Sequence, residues 1–129
     1  MKVSKKTEYG LRAMLYLAKQ KKGFANSIKE IAKAEGVPFE FLGKIMGQLE
    51  KAKLIKSKKG VQGGYFLAKS AKKITPGDIV MVLEENMAQV HCSGCPMAGK
   101  CTSKDVWGEV QQSLDTTLNA VTLADLIKK

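Results

Sequence analysis

The chain has 129 residues, 44% of them hydrophobic and 26% charged, with a formal net charge of +10, which suits one compact domain with an appendage and excludes two independent cores. No apolar run approaches the ~20 residues that span a bilayer. The opening Lys2, Lys5 and Lys6 are followed by Glu8, Arg12 and Lys19 at helical intervals, not by the apolar stretch of a signal peptide, so a soluble, cytoplasmic protein with no membrane partner is expected. The charge is divided: residues 1–73 carry 18 Lys and Arg against 5 Asp and Glu, a net +13, and residues 74–129 carry 4 against 7, a net −3. The front half is therefore the half suited to a polyanion, because clustered cations release the counterions of a phosphate backbone.

Ser4 is placed to cap a first helix running to about Gln20, with Leu11, Met14, Leu15 and Ala18 on one face and Gly23 as its stop. Ser27 and Glu30 have the spacing of a capping box for a short second helix, in which Ile28, Ile31 and Ala32 face inward and Gly36 supplies the left-handed end. A third helix opens at Pro38, suited to a first helical position, and its buried stripe is Leu42, Ile45, Met46 and Leu49. Two short helices joined by Gly36-Val37-Pro38 read as a helix-turn-helix whose second helix lies in the DNA major groove. The outward side of that helix carries Glu40, Lys44, Gln48 and Lys51, with Phe39 and Phe41 near its groove end. With Ser27 and Pro38 at the helix starts, these are the candidate DNA contacts. Gly43 and Gly47 each weaken the helix by ~1 kcal/mol relative to Ala, so another factor must hold it; close approach to a neighbouring backbone is one candidate.

Residues 56–68, KSKKGVQGGYFLA, have the form of a β-hairpin with three glycines in its turn and an apolar second strand. Directly behind a helix-turn-helix such a hairpin is a wing. Lys58, Lys59, Gly60, Gln62 and Tyr65 are its candidate DNA contacts, since glycine admits a phosphate or a minor groove closely and the lysines supply charge. Thr75 and Pro76 then start a fourth helix, with Ile79, Val82 and Leu83 inward, ending at about Asn86. Residues 88–102 have no periodicity. Ser103 begins a long helix in which Trp107, Val110, Leu114, Leu118 and Val121 recur at three and four, and Thr122 to Asp125 caps a last short segment. A narrow apolar seam on a long helix is best covered by its equivalent in a second copy, which predicts a homodimer reading paired half-sites in double-stranded DNA. The expected architecture is mostly α with a small β-hairpin: a winged helix-turn-helix domain over 1–86, a cysteine loop over 87–102, and a dimerisation helix with C-terminal segment over 103–129.

All three cysteines fall within ten residues, as Cys92-Ser93-Gly94-Cys95-Pro96-Met97-Ala98-Gly99-Lys100-Cys101. Thiolates clustered in a glycine-containing loop point to metal or redox chemistry. A structural zinc site would use the C-x2-C pair and take His91 as its fourth ligand. A dithiol switch needs two cysteines and leaves the third idle. An iron–sulfur cluster uses three thiolates and a non-thiolate ligand from elsewhere, which tunes its potential and leaves a labile position. An enzyme is not expected: no phosphate-cradling glycine motif follows a buried strand, and no Cys/His/Asp constellation is evident.

The whole chain resembles the winged-helix iron–sulfur regulators that include the IscR-type and NsrR-type repressors. The resemblance lies in Thr7-Glu8-Tyr9-Gly10-Leu11-Arg12-Ala13-Met14, the wing from Gly60 to Ala68, Ile74-Thr75-Pro76-Gly77-Asp78-Ile79, the three cysteines and Trp107. It implies a homodimer with crossed C-terminal helices, a [2Fe-2S] or related cluster on Cys92, Cys95 and Cys101, and promoter binding that changes when the cluster is lost, oxidised or nitrosylated. Relatives of the IscR type carry a ligand histidine three residues after the last cysteine; here that residue is Lys104, whose ammonium cannot ligate. In NsrR-like relatives an acidic residue near the start of the partner's first helix completes the cluster, which implies Glu8 as the fourth ligand here, with His91 as the alternative. Three further departures are the short gap between the first two cysteines, Gly43 where an acidic residue often tests the operator bases, and Lys59 where the wing commonly has Arg.

Overall fold

The computed structural model describes residues 3–84 and 103–128, with the backbone alone for residues 103–105 and 107. His91, the three cysteines and the loop expected over 87–102 lie outside them, as does the Trp107 side chain. The elements are α1 (Lys5–Lys19), α2 (Ile28–Glu35), α3 (Phe39–Lys51), β1 (Ile55–Lys58), β2 (Gly64–Leu67), a 3-10 turn (Ala71–Lys73), α4 (Pro76–Leu83), α5 (Ser103–Asn119) and α6 (Leu123–Ile127). The fold is mostly helical with one antiparallel hairpin, as the sequence predicts; β1 and β2 pair in the register Ile55 with Leu67 and Lys58 with Gly64.

Local chemistry sets most helix ends. Ser4 Oγ accepts from the Thr7 N–H to start α1, and Ser27 Oγ accepts from the Glu30 N–H to start α2. Only the Ser27 half of the expected capping box is present there. Complete boxes form instead at Thr75–Asp78 and Thr122–Asp125. Gly36 closes α2 with φ +66°, the left-handed conformation that glycine adopts without a Cβ clash. The first helix ends where expected but not at its expected stop, and two other boundaries differ from expectation. Extended backbone at Gln20 ends α1 before Gly23 is reached. Pro38, with ψ 131°, is the cap before α3 and not its first helical residue. The fourth helix stops at Leu83 because Glu84 turns to extended backbone at φ −92°, ψ 115°.

One core joins the helices. Leu42, Ile45, Met46 and Leu49 of α3 are all buried, together with Met14, Leu17, Ile31, Ile74, Ile79 and Leu83. At ~1.5–3 kcal/mol for each large aliphatic side chain removed from water, burial of the α3 stripe outweighs the propensity lost at Gly43 and Gly47. No atom would meet a Cβ at either glycine within 4 Å. The suggested backbone approach is therefore not what holds α3; its apolar stripe is. Replacing Gly43 or Gly47 by alanine should raise the unfolding free energy by about 0.5–1 kcal/mol each; a thermal melt showing destabilisation would reveal a contact absent from the single chain.

The buried side of α1 is rotated from the expected one. Thr7, Gly10, Ala13, Met14 and Leu17 face the core, whereas Leu11, Leu15 and Ala18 are only half-buried. Small residues there let α1 sit close to α4, and a side chain at Gly10 would overlap Leu83. The C-terminal end of the chain returns to the same core: Leu123 of α6 is fully buried, and its N–H donates to the Ile74 carbonyl at 2.9 Å. Thr75 Oγ1 donates to Asn119 Oδ1 at 2.7 Å, tying the start of α4 to the end of α5.

Candidate nucleic-acid interface

With its apolar stripe turned inward, α3 must present the opposite side to solvent. Glu40, Lys44 and Lys51 are exposed and Gln48 is half-exposed. Phe39 is 55% exposed at the helix start, and Pro38 precedes it, also exposed. Phe41 divides its ring between solvent and an edge-on contact with Tyr9 of α1, at a centroid distance of 5.5 Å. Because Gly47 has no side chain, a groove of about 470 Å³ opens along this side, lined by Lys6, Phe41, Lys44, Ile45, Gln48 and Lys51 around that glycine. The groove is apolar at its floor and cationic at its rim, with Phe41 partly exposed on its wall and Ile45 buried beneath it.

The hairpin continues this surface. Lys58, Lys59, Gly60 and Gln62 are all exposed, and none of Lys44, Lys51, Lys58 and Lys59 pairs with a carboxylate among the described residues. Their charge is thus uncommitted. The base of the wing is rigidly held. Tyr65 and Asn26 exchange backbone hydrogen bonds at 2.7 and 2.9 Å, and the buried Asn26 side chain donates to the Phe24 carbonyl at 3.1 Å. Tyr65 is half-buried, and burial, followed by the nearby Glu50 carboxylate, raises its phenol above the ordinary value. Ser57 Oγ donates to Glu50 Oε2 at 2.6 Å, joining the first strand of the wing to the last turn of α3. Ser27 is half-buried and occupied as the cap of α2, at the helix start that meets this Asn26 junction.

Sequence reasoning placed the outward lysines and missed these supports. Asn26 meets Tyr65 from far along the chain and Glu50 meets Ser57 across the turn from α3 to β1, and only the neighbouring glycines hinted that a backbone approached the wing. Of the candidate metal ligands, Glu8 alone is described. It lies exposed in the first turn of α1, with Lys5 Nζ 3.5 Å from its carboxylate. Such a surface pair is worth at most about 1 kcal/mol and does not withhold Glu8 from another partner. Glu84, missed entirely, accepts from Thr7 and Ser4, and the Thr7 hydroxyl first among these bonds holds its carboxyl below the usual range.

A helix-turn-helix followed directly by a hairpin, with unpaired lysines on both, defines a winged-helix DNA-binding protein. The profile of the Rrf2 family, an iron-dependent transcriptional regulator, matches residues 3–129, and the chain belongs to that family. It is 38% identical to protein Rrf2 of Nitratidesulfovibrio vulgaris, over 99% of this chain and 88% of that one. Among solved structures it is similar to T. potens IscR, with TM-score 0.82 and 37% identity over 99% of this chain and 87% of that one. It is also similar to CymR, the global cysteine regulator of B. subtilis, with TM-score 0.81 and 32% identity over 98% and 95%. CymR of Staphylococcus aureus in its oxidised form matches with TM-score 0.80 and 32% identity over 100% and 98%. The chain is a DNA-binding transcriptional regulator, and no helix among the described residues is long and apolar enough to cross a membrane.

Proposed function

We propose that this chain is a homodimeric repressor whose affinity for operator DNA is set by an iron–sulfur cluster, of the [2Fe-2S] type, on Cys92, Cys95 and Cys101, with Glu8 of the partner subunit as fourth ligand. The observation that carries the DNA half of this reading is that Lys44 and Lys51 on α3 and Lys58 and Lys59 on the wing are exposed and paired with no carboxylate among the described residues. The clustering of all the chain's cysteines, and the iron-dependent family, support the other half. Three thiolates and one exposed carboxylate form the mixed donor set that an iron–sulfur centre with a labile position takes. Such a centre, when bound, supplies a group whose oxidation, nitrosylation or loss registers a chemical signal.

The chain's own residues do the rest. Lys44 and Lys51 on α3, with Lys58 and Lys59 on the wing, hold phosphates, while Glu40 and Gln48 face base edges in the major groove. Phe39 and Pro38 set the depth of the helix start. Val110, Leu114 and Leu118 of α5 are only half-buried in the single chain, as a seam awaiting its equivalent in a second subunit would be; Val121, expected on the same seam, lies past the end of the helix at Asn119 and is half-buried too, and Trp107 falls at the same spacing in the sequence. Dimerisation then fixes the distance between two recognition helices. A signal that changes this distance changes affinity only by its difference in binding to the two arrangements.

Lys59→Ala should weaken DNA binding and reduce the slope of log affinity against log salt by about 0.9, one phosphate contact. An unchanged slope in a fluorescence-anisotropy titration would remove the wing from the interface. The metal half is tested by a visible spectrum with iron and acid-labile sulfide assays on protein purified without oxygen: charge-transfer bands with matching iron and sulfide support it, and a colourless, unreconstitutable protein refutes it. A second reading, thiol oxidation without metal, is favoured by the likeness to a cysteine regulator solved in an oxidised form.

A further inference from the structure

A second cavity, of about 620 Å³, shares no residue with the groove on α3. It opens between the last turn of α1, the loop that leads to α2, strand β2 and the 3-10 turn. Leu17 and Ala18 of α1, both packed on the core, form its floor. Phe66 of β2, half-buried, and Phe24 of the loop, 58% exposed, give it two aromatic walls. Hydrogen bonds hold both sides in place. On the loop the Phe24 N–H donates to the Lys21 carbonyl at 3.0 Å and Gln20 Nε2 to the Tyr16 carbonyl at 3.1 Å. At the 3-10 turn the Ser70 hydroxyl accepts from the Lys72 N–H at 3.2 Å and the Ser70 carbonyl from the Lys73 N–H at 2.8 Å. A preformed, largely apolar concavity of this size is what a small ligand occupies.

The rim decides which ligand. Lys21 and Lys22 on the loop, with Lys69 and Lys73 beside the turn, are exposed, and none pairs with a carboxylate among the described residues. No acidic side chain among the described residues lines the cavity. Four like charges around one mouth repel one another and leave a positive potential there, which an anion relieves. A phosphate backbone would engage the lysines and leave Phe24, Phe66 and the floor in water, whereas a neutral hydrocarbon would cover the rings and leave the charges facing one another. We propose that this cavity binds a small organic anion with an apolar body, of the aryl or medium-chain acyl carboxylate class. The hydrocarbon lies between Phe24 and Phe66, and the carboxylate sits among the rim lysines. The site is independent of the iron–sulfur reading, because none of the candidate cluster ligands lines it.

The test is a fluorescence titration of the full chain with 8-anilinonaphthalene-1-sulfonate, an aromatic body carrying one anionic group, followed by competition. One probe should bind per chain and be displaced by decanoate below its micellar concentration. Decanol, the uncharged analogue, should compete at least about tenfold less well, and inorganic phosphate alone should not compete. Phe24→Ser and the double change Lys21→Glu with Lys73→Glu alter exposed side chains at opposite parts of the site, and each should weaken the probe on the order of tenfold with the melting temperature unchanged. Three results would overturn the proposal: no saturable probe binding, equal competition by decanol and decanoate, or undiminished affinity in either folded variant. If the lysine variant instead loses DNA affinity and salt dependence while the probe binds as before, the rim serves the DNA backbone and the ligand site is refuted.

Discussion

Gly64→Ala is expected to destabilise the protein by about 3 kcal/mol, the sum of a backbone conformation that only glycine tolerates and a steric overlap. Gly64 begins β2 with φ +151°, and a Cβ there would overlap the Asn26 carbonyl and approach the Ser27 N–H to 2.7 Å. The wing cannot move aside without breaking the two backbone bonds between Tyr65 and Asn26. In a chain of this size the change should lower the melting temperature on the order of 10 °C. Gly60→Ala at the wing tip provides the contrast: φ is +114° but no atom lies within 4 Å of the added carbon, so only backbone strain remains. Equal melting temperatures for the two variants would contradict the close approach at Asn26. DNA affinity should fall with Gly64→Ala as well, since the same junction holds the wing lysines beside α3.

Cys92→Ala, Cys95→Ala and Cys101→Ala are each expected to abolish cluster binding completely while leaving a folded dimer. The loss should be total in each case because the chain has no fourth cysteine to take the place of the one removed, and the ammonium of Lys104 cannot ligate. Folding should survive because the described core, from Thr7 to Leu83 with Leu123 and Ala124, is closed without these residues. Iron and sulfide content with a far-ultraviolet melt separates the two effects. A full cluster retained in any one variant would overturn the ligand assignment, and an unfolded variant would give that cysteine a structural role.

How legible the molecule was depended on the type of residue involved. The α3 stripe was plain because Leu42, Ile45, Met46 and Leu49 are large, apolar and correctly spaced, and all four are buried. On α1 Met14 is buried as its spacing predicts, whereas Leu11, Leu15 and Ala18 are only half-buried. Thr7, Gly10 and Ala13 face the core because α4 lies so close that only small residues fit, a fact held by Leu83 and invisible in α1 itself. The end of α4 could not be read either, since the helix stops where Glu84 is drawn to Ser4, 80 positions earlier. The candidate site shows the same division: exposed lysines follow from helical and hairpin periodicity, whereas Asn26 and Glu84 bond to residues far along the chain and Glu50 bonds to Ser57 across the turn from α3 to β1, contacts that no local pattern announces.

The most direct test of the account measures DNA affinity on one preparation in two states. Protein purified without oxygen would be titrated by fluorescence anisotropy onto a duplex that it has itself enriched from a random-sequence pool, then titrated again after chelation has removed the iron, at the same salt. A cluster-governed repressor should show a visible chromophore in the first state and at least about a tenfold difference in affinity between the two, which corresponds to a coupling of about 1.4 kcal/mol. Equal affinity in the two states would contradict it, leaving a winged-helix DNA-binding protein whose cysteines do not govern its grip on the operator.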